Sequence, residues 1–202
     1  MDHAKIGLSA EELKLVTDPQ IILTKNAIID KVYQLFGDLS MLIQVELKPL
    51  EKDLYAAMEA APKISRGENY LGLPYVILDY PRYFRPHDIF AIRTMFWWGN
   101  FMSVTLHLKG NFREHYHQSI IEKLQQISEG GFFAGIGTDE WEHHFGDDNY
   151  LPVSLIDKDE WIELYNARNF TKLALKFPLT EWENMPALLA EAYHKIIQLL
   201  EP

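Results

Sequence analysis

Residues 137–150, GTDEWEHHFGDDNY, place five acids and two adjacent histidines within fourteen positions. These residue types ligate divalent cations. Helical spacing would bring Glu140 and His144 to one face, with Asp147 able to curl back toward them. A zinc centre would still need a ligand from elsewhere, and REHYHQ (113–118) is the only other histidine cluster. Its His115 and His117 lie about 200° apart on a helix, so they cannot chelate one ion together, and the H-E-x-x-H spacing is missing. His117 can join His143 or His144 only across the fold. The set His117, Glu140, His143, His144 and Asp147 therefore defines one alternative function, a metal-assisted hydrolase. A plainer reading accounts for the same residues. Thr138 suits an N-cap, Asp139 and Glu140 a first helical turn, His143 and His144 a last turn, and Gly146 the residue after it. The segment is accordingly expected to form a short capped helix with Trp141 and Phe145 on its buried side.

A second candidate lies in residues 88–109, where DIFAIRTMFWW and FMSVTLHLK read as strands joined at Gly99-Asn100. A two-residue turn there predicts Trp98 opposite Phe101, Thr94 opposite Thr105 and Ile92 opposite His107. One face would carry Ala91, Met95, Trp97, Met102, Val104, Leu106 and Leu108, interrupted by Arg93. The other would carry Phe96, Trp98 and Phe101 beside Thr94, Ser103, Thr105 and His107, the aromatic walls and few polar groups of a small-molecule site. Arg93, on the apolar face, needs either an internal carboxylate or an anionic ligand.

Nearby, YPRYFRPHD (80–88) adds Arg82 and Arg85 among three aromatics, a composition suited to planar anions because guanidinium both pairs and stacks. Residues 62–93 hold five Lys/Arg against three acids, whereas 139–163 holds nine acids against Lys158 alone. The acidic stretch offers a third reading, a module that docks a basic protein partner. The leading expectation is binding of a small anionic or aromatic ligand at the hairpin, with Arg82, Arg85, Arg93, Thr94, Phe96, Trp98, Ser103, Thr105 and His107 as the contact set.

The bulk sequence narrows the classes. A net charge of −10 disfavours nucleic acid and anionic membranes as partners, and the lack of cysteine removes disulfides, thiolate metal sites and cysteine nucleophiles. GGFFAGIG has neither a phosphate-loop lysine nor a dinucleotide fingerprint, so no cofactor is expected. No basic-then-apolar leader and no long uncharged run is present, which makes a cytoplasmic setting the default expectation.

The elements that must position these residues follow from patterning. Ser9 and Glu12 form a capping box, and Asp18-Pro19 starts a second helix with an apolar stripe that Gly37 can end. A second helical pattern follows through Leu39, Leu42, Ile43, Leu50, Leu54 and Met58, kinked or divided by Pro49. A strand meander covers 71–109, helices are expected over 112–127 and 180–200, and TKLALKF (171–177) alternates as a strand. Asp157 caps a helix to Asn166. The sum is an α+β domain spanning 1–202: an N-terminal helical hairpin and an antiparallel sheet packed by helices.

Overall fold

The computed structural model describes residues 6–47 and 57–201. The expected helical continuation through Leu50 and Leu54, with its kink at Pro49, lies outside them. An N-terminal helix pair opens the chain: α1 (Ala10–Val16), started by the Ser9–Glu12 capping box, and α2 (Pro19–Glu46), capped by Asp18 with Pro19 in its first turn. Gly37 does not end a helix. It sits inside the 28-residue α2, where a glycine costs about 1 kcal/mol relative to alanine.

Among the described residues seven strands form one antiparallel sheet. In chain order they are β1 (Lys63–Tyr70), β2 (Leu73–Phe84), β3 (Ile89–Trp97), β4 (Phe101–Lys109), β5 (Phe133–Gly135), β6 (Tyr150–Pro152) and β7 (Phe170–Pro178). Their spatial order is β1-β2-β3-β4-β7-β5-β6. The expected meander and the TKLALKF strand thus occupy its centre, with Lys63–Tyr70 as an added edge. Pro81, which cannot donate to a ladder, falls at the register shift of β2 between Asp79 and Arg82.

Helices cover one face. α3 (Asn111–Glu122) and α4 (Leu124–Glu129) divide the expected 112–127 helix at Lys123, and α5 (Lys158–Ala167) starts at its Asp157 capping box. The last helix, α6 (Met185–Leu200), begins after a 3-10 turn over Leu179–Asn184, so Pro186 lies in a first turn that tolerates it. Three- and four-residue spacing aims Ile29, Val32, Phe36, Leu39 and Ile43 of α2, and Leu189, Tyr193, Ile196 and Leu200 of α6, at the sheet.

The β3–β4 connection differs from expectation. It has three residues, Trp98–Asn100, closed by the Asn100 N–H on the Trp97 carbonyl at 3.0 Å, with Gly99 at φ 73° in the third position of the turn. The extra residue moves every partner by one: Trp97 meets Phe101, Phe96 meets Met102, Thr94 meets Val104, Arg93 meets Thr105 and Ala91 meets His107. Because side chains alternate with period two, this slip re-sorts both faces. The core face is Phe90, Ile92, Thr94 and Phe96 with Met102, Val104, Leu106 and Leu108. The opposite face gathers Arg93, Met95 and Trp97 with Phe101, Ser103, Thr105 and His107.

Candidate functional site

The uncovered face of the sheet is roofed by residues 137–149, and these are irregular rather than the capped helix their sequence suggests. Asp139 still accepts from the Trp141 N–H at 2.8 Å, but Glu140 and the backbone of His143 and His144 find partners on the sheet. Glu140 Oε2 pairs with His107 Nε2 at 3.1 Å and Oε1 with Lys109 Nζ at 2.7 Å. The Tyr70 hydroxyl accepts the backbone N–H groups of His143 and His144 at 2.6 and 3.0 Å. Lys172 Nζ donates to the Glu142 carbonyl, and the buried Asn149 donates to that of His144 at 2.6 Å. Phe145 stacks on Tyr150 at 4.4 Å and meets Phe101 and Phe133 edge-on. Gly137 lets this packing form, because a Cβ there would come within 2.6 Å of Asn149 Oδ1 and push that side chain aside.

Beneath that roof Arg93 answers its own question. Its Nε and Nη2 grip both carboxylate oxygens of Asp79 at 2.7 and 3.0 Å, and Nη1 donates to His143 Nε2 at 2.9 Å. The His143 imidazole is held well below its ordinary pKa, first by burial and then by the charge of Arg93 and Lys172, so it stays a neutral acceptor. His107 is also lowered by burial, while the hydrogen bond from His107, with Lys109 beside it, draws Glu140 down to about 2. Lys172, only 2% exposed, drops to about 7 through burial and the nearby Arg93 charge. Thr105 is hydrogen-bonded to the buried Tyr150 hydroxyl. Two fixed cations, Arg93 and Lys109, thus face two carboxylates, Asp79 and Glu140. These two pairs cancel, and Lys172 beside them carries its full charge only below about pH 7.

The rest of the expected ligand set is dispersed. Thr94 is fully buried on the helix side, bonded to the Tyr193 hydroxyl at 2.9 Å. Ser103 is buried under the roof. Arg82 Nε donates to the Ala61 carbonyl, and Arg85 lies over the Tyr83 ring. The metal-ligand set does not converge either. His117 stacks on Tyr165 at 3.5 Å, His143 is held by Arg93, His144 Nε2 faces Asp148 at 3.3 Å and Asp147 is exposed. Among the described residues no group of three His, Asp or Glu is placed to hold a metal ion. The acidic 139–163 stretch is likewise divided, since Glu140 turns inward and Asp157 caps α5.

Phe96 and Trp98 do reach a cavity, on the helix side. At the hairpin tip they meet Trp182 and Leu179 of the 3-10 turn and Ile28 and Lys31 of α2 around a cleft of about 340 Å³. Phe96 stands edge-on to Trp98 at 6.1 Å and to Trp182 at 6.4 Å, which fixes the walls. Lys31 is exposed at the rim. Sequence reasoning missed Ile28, Lys31, Leu179 and Trp182, which no local pattern marks. It also missed Lys172, although the alternation of Lys172, Ala174 and Lys176 placed two lysines on the sheet's polar face.

Comparison with protein-family models, with curated proteins and with solved structures yields no match. No helix among the described residues is long and apolar enough to cross a membrane.

Proposed function

We propose that the protein binds a small molecule with an aromatic body and an anionic group, held in the cleft at the tip of the β3–β4 hairpin. The observation that carries this reading is the cleft itself: about 340 Å³, walled by Phe96, Trp98 and Trp182, with Lys31 as its charged side chain. That volume and an apolar wall with one polar anchor are the usual signature of a ligand site. The roofed cluster supports the cleft by contrast, because Arg93 and Lys109 already have carboxylate partners. Aromatic walls select a flat ligand, and the Lys31 ammonium selects an anionic one.

Titration with naphthalene-1-sulfonate, read by tryptophan fluorescence, tests this. Saturable binding is expected, weakened about tenfold or more by Lys31→Glu, a change worth about 1.4 kcal/mol. Neutral 1-naphthol should lose affinity for the wild type but not respond to Lys31→Glu. Equal affinity of the sulfonate for wild type and variant would contradict the anionic reading, and no binding would contradict the site.

A further inference from the structure

The inner side of α2 buries Val32, Phe36 and Ile43 against the sheet, but among the described residues its outer side packs against no other element. Along that outer side Leu23, Ala27, Asp30, Gln34, Gly37 and Met41 recur at intervals of three and four, the spacing of a helix-pairing seam. Leu23 and Met41 are 55% and 61% exposed.

We propose that this seam pairs antiparallel with the same seam of a second copy of the chain, in a two-fold dimer. The seam is complementary to itself. About an axis at Val32, residues equally far before and after it meet: Leu23 faces Met41, Ala27 faces Gly37 and Asp30 faces Gln34. Large meets large, small meets small, and an acid meets an amide with no like charges opposed, which is what a self-complementary two-fold interface requires. Gly37 supplies an independent argument. A Cβ there would meet nothing within 4 Å and its φ is not positive, so nothing among the described residues explains a glycine in mid-helix. Close approach of a second helix does.

The area decides how far the interface extends. A 28-residue helix is about 42 Å long, and a strip roughly 10 Å wide buries on the order of 800 Å² over both copies, short of the roughly 1,200 Å² a stable dimer needs. α1 provides the remainder. None of its residues is buried, and Leu13 and Val16 are more than half exposed. In an antiparallel pair α1 lies at the partner's far end, where Leu42 and Val45 are exposed.

The chain has no cysteine, so the register can be read by crosslinking the full-length protein. Sedimentation equilibrium should give twice the chain mass in the micromolar range. Ala27→Cys and Gly37→Cys should each fail to crosslink alone on oxidation, and should link when mixed. Gly37→Leu should sediment as a folded monomer with its naphthalene-1-sulfonate titration unchanged, which separates this interface from the cleft. A wild-type monomer, a dimer in which either cysteine variant links to itself, or a dimer whose mixed variants do not link would each overturn the proposal.

Discussion

Asp79 and Arg93 face each other across β2 and β3 in a two-point carboxylate–guanidinium pair, at 2.7 and 3.0 Å, with side chains only 8% and 14% exposed. The pair lies where β2 turns toward its irregular Pro81 stretch, and the third guanidinium nitrogen, Nη1 of Arg93, ties the sheet to the roof through His143.

Removing the cation strands a buried acid. Arg93→Met should destabilise the protein by roughly 3–5 kcal/mol in urea unfolding, and Arg93→Met with Asp79→Leu should recover most of that loss. An Arg93→Met variant as stable as the wild type would mean that Asp79 is solvated.

Tyr70 holds the roof by one oxygen that accepts two backbone N–H groups. Tyr70→Phe should cost about 1–3 kcal/mol and raise hydrogen exchange of residues 140–149 well above that of β4. Unchanged protection would place the roof's anchor elsewhere, on Phe145 or Asn149.

How much of this was legible in the sequence depends on where the deciding partner lies. Ser9–Glu12, Asp18–Pro19 and Asp157 are local signals, and each opened the helix it announced. Thr138–Gly146 carried the same kind of signal and failed, because His107, Lys109 and Tyr70, up to 74 residues away in sequence, offer Glu140, His143 and His144 charged or two-fold hydrogen bonds. The β3 and β4 strands were plain from alternation, yet their register rested on counting a turn, and one residue more at Gly99 exchanged the faces. That slip put Arg93, Thr105 and His107 together and sent Thr94 to the core. It left Phe96 and Trp98 lining a cleft, but one completed by residues from α2 and the 3-10 turn.

Lys172 should make stability rise with pH. Its folded pKa, about 7, lies below its ordinary 10.5, so between these values the unfolded chain binds more protons, and the stability contribution is complete above 10.5 and lost as pH falls to 7. Chemical denaturation at pH 7, 8 and 9 should show a rise in wild type that is absent in Lys172→Met. Parallel profiles would mean that Lys172 is charged and solvated.

Glu140 acts at the other end of the scale. Held down to about 2 against an ordinary 4.5, it contributes stability above pH 4.5 that is lost as pH falls toward 2. Glu140→Gln should be less stable at pH 6 and should converge with wild type near pH 2. Zinc should not reverse either effect. At a hundred times its dissociation constant a bound metal would add about 2.7 kcal/mol, and a shift of that size removed by His144→Ala would favour the metal-assisted reading instead.

The most direct test of ligand binding in the cleft uses the chain's five tryptophans, at 97, 98, 141, 161 and 182, as separate indole N–H signals in a nitrogen-15 spectrum. Titrating naphthalene-1-sulfonate should move the Trp98 and Trp182 signals together and saturably, since both line the cleft, and leave Trp141 and Trp161 in place. Saturable shifts at Trp141 or Trp161 without Trp98 and Trp182, or no saturable shift at all, would contradict the account.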